Sequence, residues 1–471
     1  MTGPSGSSAR PRAEAALSRR RFLLAGLGGL SVLGLGAPGL APASRRSPGA
    51  TSVDEAAGGI RIDVHSRLFN GQDVQLARLF DRVIAPAHPE HADLIRAGAD
   101  LAQALAWALA PSGADETWRL DELARRRGPA LADRDDAPIR ADLEAADRRF
   151  RDALPVVLPG TEFFRLYLDR LMPRARAELG GQAAARLARI AGAGALEPRD
   201  VDFLLGADGP ERALLAIRPL AAFRRYTYHR YLTVRDLLQP GAGLADLVVP
   251  TVAVFDGEPR RSAPPTSRRD QLIAIARLVR LCGGQLHPLL PVDPGEPADA
   301  REALAFVRDA VEHRGFAGVT LAAPLALAAV PNDRPLHALL DWCAREEVAV
   351  VTPATSPART AALLVRHPGL RLGMRRAAAP AFAESGAGAP LMHGIDWMRR
   401  SLEGSAREIQ RVDADRGGSA FRGGDAADFL GLRRGRPARK RLERFYDRHR
   451  VPSPAWMRIL DASAPGGSAH A

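Results

Sequence analysis

The chain is poor in cysteine, in aromatic residues and in lysine. It has two cysteines among 471 residues, aromatic residues make up 5%, and arginine replaces lysine almost everywhere. Two cysteines exclude a disulfide-rich scaffold. Cys282 and Cys343 each lie in an apolar, helix-like stretch, which favours buried thiols and leaves a single disulfide as the alternative in an exported protein.

Two motifs that would indicate particular chemistry are also missing. No Gly-x-Gly-x-x-Gly turn follows a predicted strand, so a dinucleotide-binding fold has no support. No Gly-x-Ser-x-Gly elbow marks a serine nucleophile, and neither cysteine has the surroundings of a nucleophile.

The formal net charge is +12. Arginine alternates with aspartate and glutamate along most predicted helices, which favours solvated surfaces over a nucleic-acid face. The densest basic run, RRGRPARKRLERF at 433–445, continues into an ordinary amphipathic helix, and we interpret it as a solvated face. We therefore expect no nucleic-acid partner.

The amino terminus resembles a twin-arginine export signal. SRRRFLL at 18–24 leads into an apolar, glycine-rich run that ends at Leu40, and Ala-Pro-Ala at 41–43 supplies small residues for cleavage. A membrane anchor is the alternative, but the run is short and is interrupted by glycines and a proline. We expect the export machinery as a partner, a periplasmic or secreted protein, and no stable membrane span.

Hydrophobic periodicity changes along the chain. Residues 76–245 have helical periodicity, whereas strand-like and helix-like runs alternate after 246. The predicted strands are 247–256, 285–293, 316–324, 348–355, 370–377 and 389–396. Repeated strand–helix units imply parallel strands, so we predict an α/β fold, a TIM-like (β/α) barrel, with a doubly wound sheet as the alternative.

Six regions follow from these patterns: a signal peptide (1–43), a linker (44–59), the first barrel strand (60–75), a large α-helical insertion (76–245), the remainder of the barrel (246–398), and C-terminal helices with a tail (399–471). Only thirteen residues separate Arg376 from Pro390. A further helix, strand and helix need more chain than that. We therefore expect a divergent barrel that is incomplete, either open or seven-stranded.

Several segments carry a family resemblance. They are IDVHSRLFNG (62–71), RLVRLCGGQLHPLLPVDP (277–294), VEHRGFAGVTLAAP (311–324), LLDWCAREEVAVVTPATSP (339–357), HPGLRLGMRRA (367–377), HGIDW (393–397) and GDAADFLGL (424–432). In this order they resemble the amidohydrolase-related family of the metal-dependent hydrolase superfamily, which includes aminocarboxymuconate-semialdehyde decarboxylase-like proteins.

The resemblance implies metal ligands after the barrel strands, where zinc lowers the pKa of bound water or polarises a substrate. His65 matches the first ligand histidine, and Asp396 matches the ligand aspartate, which also moves protons in an active enzyme. Arg67, Pro353 and Arg376 occupy the positions of the other ligands. The implied metal site is therefore degenerate.

Two ligands beside two fixed cations hold a divalent ion poorly. We therefore expect no metal cofactor. The alternative is an active enzyme whose site has been rebuilt with His287, His393 or Asp256, and which uses zinc or another divalent ion.

The arginines suggest a different use for the site. We predict that Arg67 and Arg376, with His65 and Asp256, bind a small organic anion, because guanidinium groups grip carboxylates through two hydrogen bonds. The alternative is a buried ion-pair network in which carboxylates neutralise the arginines.

We thus expect an exported amidohydrolase-like protein that binds an anion or is structural. An active hydrolase or decarboxylase of a small organic acid, with catalytic Asp396, stays as the second reading. The aromatic run FRRYTYHRY at 223–231 has two readings as well: a helix that buries its aromatic residues, or a cap that hydrogen-bonds a ligand.

Overall fold

The computed structural model describes residues 60–64, 66–81, 85–87, 89, 92–127, 137–178, 180–204, 223–238, 245–252, 265–292, 300–321, 334–352, 357–375, 391–392 and 423–462. The predicted signal peptide and linker lie outside these residues. In the part of the chain that is described, no helix is both long enough and apolar enough to cross a membrane.

The first strand is divided in two, β1 (Ile62–Asp63) and β2 (Arg67–Leu68). The carboxylate of Asp63 accepts hydrogen bonds from the backbone nitrogen of Ser66, at 3.2 Å, and from its hydroxyl. This local side-chain turn competes with regular strand pairing at Val64 and Ser66.

The elements described between β2 and β3 (Leu247–Val248) are helices. They are α1 (Leu76–Leu79), α2 (Ala85–Ala87), α3 (Ala92–Leu109), α4 (Gly113–Arg127), α5 (Ala137–Val157), α6 (Glu162–Glu178), α7 (Gly180–Ala191), α8 (Pro198–Leu204) and α9 (Arg230–Leu238). The regular elements described within 76–245 are thus helices, as the periodicity predicts.

From β4 to β8 strands and helices alternate, as the sequence predicts. The order is β4 (Thr251–Val252), α10 (Arg268–Leu281), β5 (Leu289–Val292), α11 (Ala300–His313), β6 (Gly318–Leu321), α12 (Arg334–Arg345), β7 (Ala349–Thr352), α13 (Pro357–Arg366), β8 (Leu372–Arg375) and β9 (Leu391–Met392). Ser267 caps α10 by accepting a hydrogen bond from the backbone nitrogen of Asp270.

Seven strands form one parallel sheet in the order β2-β4-β5-β6-β7-β8-β9, and β1 pairs with β3 in parallel beside it. Each strand therefore lies next to the strand that precedes it in the chain, counting β1/β2 and β3/β4 as divided strands. β6 and β7 are buried at every position, which is typical of parallel strands covered on both faces. The α/β class is confirmed.

Three helices complete the described chain: α14 (Asp425–Leu430), α15 (Pro437–His449) and α16 (Ala455–Ala462). Gly431 ends α14 in the left-handed conformation, and Pro437 begins α15 where a missing backbone donor is harmless. The indole nitrogen of Trp456 donates to the carbonyl of Gly284 at 2.7 Å, which fixes α16 beneath the amino end of β5.

The chain divides into two compact units, one of residues 1–54 with 147–217 and the other of 55–146 with 218–471. In the first unit, α6 packs against α7. The carboxylate of Asp200 accepts from Arg189 at 2.5 Å. Cys282 and Cys343, both in the second unit, are free and buried, so the predicted buried thiols are confirmed and no disulfide joins them.

Candidate functional site

The sequence-predicted site falls almost entirely on residues that are not described. His65, Asp256, Pro353, Arg376, His393 and Asp396 lie outside the described ranges. In the chain, Pro353 and Arg376 directly follow β7 and β8, and Asp256 and Asp396 come four residues after β4 and β9. Since parallel strands end at one edge of a sheet, the sequence positions of these four residues still fit a site at the carboxyl edge.

Arg67 is described only in its backbone. It is the first residue of β2 and lies in register with Thr251 of β4. Arg67 is therefore part of the sheet itself, next to the turn that Asp63 and Ser66 form.

A charged cluster that the sequence did not reveal lies just beyond the carboxyl end of β2. We call Asn70, Asp73, Glu116 and Arg230 the Arg230 cluster. The side chains of Asp73, Glu116 and Arg230 are fully buried. Arg230 bonds Glu116 through Nε at 2.7 Å, and its Nη2 lies 3.1 Å from Asp73.

Backbone and amide groups complete the Arg230 cluster. The backbone nitrogen of Arg230 donates to Glu116 at 2.7 Å, and that of Asn70 donates to Asp73 at 2.8 Å. The Asn70 amide donates to Glu116 at 3.0 Å, and Gln271 of α10 donates to the Asp73 carbonyl at 3.2 Å. The cluster thus joins the segment after β2 to α4, α9 and α10.

Two carboxylates face one guanidinium in the Arg230 cluster, which leaves one excess negative charge when all three are ionised. Burial raises the pKa of Asp73 to about 6; Glu116 raises it further, while Arg230 and the Asn70 backbone act against the increase. Nη1 of Arg230 has no hydrogen-bond partner among the described residues. Because solvent does not reach these groups, the cluster is structural, and it fixes where the chain goes after β2.

The sequence carried a partial signal for this cluster. Gly113, Glu116, Leu120 and Leu123 recur at helical spacing and form the buried face of α4. A carboxylate on an apolar face needs a buried partner. The sequence did not identify that partner, because Arg230 is 114 residues away.

The aromatic run at 223–231 buries its tyrosines. Tyr226, Tyr228 and Tyr231 are all buried, and the hydroxyl of Tyr231 donates to Asp142. Burial and the neighbouring Asp142 raise the pKa of Tyr231. The chain is not one continuous helix here, because a turn at 227–229 precedes α9. The reading in which aromatic residues pack inward is the one that these residues support.

His287, one of the suggested replacement metal ligands, uses both of its ring nitrogens in other hydrogen bonds. It precedes β5, at the amino edge of the sheet, and is fully buried. Its Nδ1 donates to the Gly315 carbonyl at 2.7 Å, so Nε2 accepts from the Tyr446 hydroxyl at 2.5 Å. Burial lowers its pKa to about 4, and the imidazole is neutral. Both nitrogens are used, so His287 does not rebuild a metal site at the opposite edge.

A chain of two histidines and one aspartate joins α12 to the end of α13. Asp341 accepts from Nδ1 of His367 at 2.7 Å, and Nε2 of His367 meets Nδ1 of His337 at 2.8 Å. The ring centroids are 5.0 Å apart and the planes differ by 24°. The two nitrogens therefore point at each other across one hydrogen bond, and they do not converge on a point where a metal would sit.

Metal ligation has no support elsewhere in the described ranges, where no group of three histidine, cysteine, aspartate or glutamate side chains is arranged to hold an ion. A scan against protein-family models finds no match, and searches among curated proteins and solved structures find no similar chain. Any functional reading therefore depends on this chain's own residues.

Proposed function

We propose that this protein is a divergent, metal-free relative of the amidohydrolase-related proteins that binds a small organic anion after export. The observation that carries the proposal is the strand order: parallel neighbours follow one another in the chain, and the predicted site residues come just after four of these strands. The exported location follows from the resemblance of residues 18–43 to a twin-arginine signal.

The barrel is part of the same proposal. A doubly wound sheet reverses its strand order at a switch point, and the described order has no reversal. Right-handed crossovers that always advance in one direction place the helices on one face of the sheet. β6 and β7 are buried on both faces, so the sheet face that carries no helices must also be covered. Curvature of the sheet into an open or seven-stranded barrel would bury that face in the barrel interior.

A divalent metal does not fit the residues present. A catalytic zinc site uses three protein ligands and one open position. His65 and Asp396 are two, Pro353 has no side-chain donor atom, and Arg67 and Arg376 are cations. His287 is excluded as a replacement by its own hydrogen bonds. No step of the proposed function therefore passes through a metal.

The same substitutions suit a carboxylate ligand. Two guanidinium groups each offer a planar fork of donors that matches a carboxylate. His65 contributes a further hydrogen bond, and Asp256 and Asp396 limit the positive charge of the pocket. Recognition of a monocarboxylate or dicarboxylate is the class of binding that these residue types perform.

Isothermal titration of the full-length protein with sodium succinate and sodium benzoate tests the proposal. We expect binding of at least one, weakened about tenfold or more in Arg67→Gln and in Arg376→Gln, since each removes charge-assisted hydrogen bonds. Arg96→Gln, which replaces an exposed arginine paired with Asp81, is the matched control. Binding that survives both pocket substitutions contradicts the proposal.

A further inference from the structure

A group of three arginines and two histidines lies at the amino edge of the sheet, away from the predicted anion pocket. It comprises Arg280 in the last turn of α10, His313 and Arg314 at the end of α11, and Arg448 and His449 at the end of α15. We call these five residues the basic corner. They belong to one compact unit of the chain.

The three helix ends meet closely. Gly315 has φ +76°, and a Cβ there would lie 3.0 Å from Phe445 of α15 and 3.0 Å from Val279 of α10. Only glycine accommodates both the backbone conformation and the approach of the two side chains. Arg280 and Arg314 directly adjoin two of these contact residues in the chain, so the close packing brings the cations together.

Carboxylates neutralise only part of the basic corner. Arg314 pairs with Asp309 at 2.5 Å. Arg280 and Arg448 have no carboxylate within salt-bridge distance in the described part of the chain. Arg448 instead donates to Nδ1 of His313 at 3.1 Å, a contact that requires His313 to be neutral at that nitrogen.

The cations of the corner repel one another. Partial burial lowers the pKa of Arg280, and the charges of Arg277 and Arg314 lower it further, against an opposing effect of Asp121. Arg277 is itself paired with Asp121 at 2.8 Å. Asp121 is therefore shared, and it does not cancel the charge of Arg280.

The pKa of His449 is affected by the same charges. Burial lowers its pKa first, and the charges of Arg280 and Arg448 lower it as well, although the carbonyl of His313 accepts a hydrogen bond from its ring. The charges of Arg280 and Arg448 thus both act on the imidazole of His449, in agreement with the close packing of the three helices at Gly315.

Helix dipoles explain why basic residues lie at these helix ends, but they do not provide hydrogen-bond acceptors for all of the arginine donors. The carboxyl ends of α10, α11 and α15 carry partial negative charge that stabilises nearby cations. In the described chain, however, those ends supply no acceptor to the guanidinium group of Arg280, and they supply that of Arg448 with only the Nδ1 of His313. Both residues are exposed, so the donors of Arg280 and the remaining donors of Arg448 face solvent and are available to a ligand.

We propose that the basic corner binds a phosphate group, with Arg280 and Arg448 as its principal ligands. Arginine pairs recognise phosphate oxygens through parallel hydrogen bonds. His449 lies beside both and gains stability in its protonated form when a phosphate neutralises them. The phosphate belongs either to a soluble compound or to the headgroup of a lipid, and the chemistry of recognition is the same.

Two titrations of the full-length protein distinguish these sources. One uses sodium pyrophosphate followed by calorimetry, and the other uses phosphatidylglycerol vesicles followed by co-sedimentation, both in about 150 mM NaCl, where charges are screened beyond about 8 Å. We expect Arg280→Gln/Arg448→Gln to weaken binding about tenfold or more. Pyrophosphate binding identifies a soluble phosphate ligand, and binding to vesicles alone identifies a lipid headgroup.

The matched control is Arg96→Gln/Arg165→Gln, which removes the same charge from exposed arginines that are paired with carboxylates elsewhere. Equal weakening in this control shows a response to net charge alone and overturns the proposal, as does the absence of binding to both probes. If the corner double variant does not fold, as judged by its thermal melt, Arg280→Gln alone replaces it and is held to the same criteria.

Discussion

Replacing Asp73 by asparagine is expected to remove one pH-dependent part of the protein's stability. The carboxyl group of Asp73 has a pKa of about 6 in the folded chain, against 3.8 as its ordinary value. The folded state therefore holds this proton more tightly than the unfolded state does. The resulting stabilisation is complete below pH 3.8 and is lost as the pH rises through 6.

The size of the effect follows from the shift. A difference of about 2.2 pK units corresponds to about 3 kcal/mol in full. Between about pH 5 and about pH 8 the change is roughly 1.4 kcal/mol, because at pH 5 the carboxyl is already largely deprotonated in the unfolded state and roughly half of the full stabilisation has been lost. Asparagine cannot ionise but keeps an acceptor for the backbone nitrogen of Asn70, so Asp73→Asn is expected to lack this change.

Urea unfolding followed by circular dichroism measures the free energy of unfolding of both proteins at the two pH values. As the pH rises from about 5 to about 8, the free energy of unfolding of the wild type should fall by roughly 1.4 kcal/mol relative to that of Asp73→Asn. Asp81→Asn, which alters an exposed carboxylate paired with Arg96, should follow the wild type. A constant difference between the wild type and Asp73→Asn refutes the assignment of the titration to the Arg230 cluster.

Three further predictions concern buried groups. His287 has a folded-state pKa of about 4, below its ordinary 6.5, so its contribution is present above pH 6.5 and is lost as the pH falls through 4; urea unfolding of His287→Leu should lack this loss, which is about 3 kcal/mol in full. Gly71→Ala should destabilise the chain by about 1–3 kcal/mol, since its Cβ would overlap the Tyr226 carbonyl oxygen, whereas Gly181→Ala has open space and should be neutral or stabilising in a thermal melt. Cys282 and Cys343 are buried, with raised pKa values, so a thiol reagent should label neither before urea is added and both afterwards; rapid labelling of the native protein contradicts the structure.

Sequence patterns predicted the sheet well because its strands are short apolar runs between helices. Each predicted range from 247 to 396 contains at least one strand. The range 247–256 was predicted as one strand, but it contains two, β3 and β4, which are separated by Val249 and Pro250. Proline has no backbone donor, so it interrupts the ladder at this point.

The Arg230 cluster was beyond sequence reasoning for a physical reason. Its members come from segments 114 and 157 residues apart, and nothing local indicates which buried charge faces which. Glu116 is a charge on an apolar helix face, whereas Asp73 lies two residues after Asn70-Gly71, a pair that is typical of turns. Only the three-dimensional fold identifies Arg230 as their partner.

His287 shows the opposite error. The sequence suggested it as a replacement ligand recruited from a nearby strand end. The strand begins two residues later, at Leu289, so His287 is at the amino edge. Residue type and approximate position therefore suggested a ligand, while the direction of the strand excluded it.

The central claim is that this chain binds an anion without a metal. Elemental analysis of the full-length protein, purified without chelators, tests it most directly. We expect zinc, manganese and iron far below one equivalent per chain, and no change in metal content in His65→Ala or Asp396→Ala. Near-stoichiometric metal that is lost in both variants would contradict the account and favour an active hydrolase or decarboxylase.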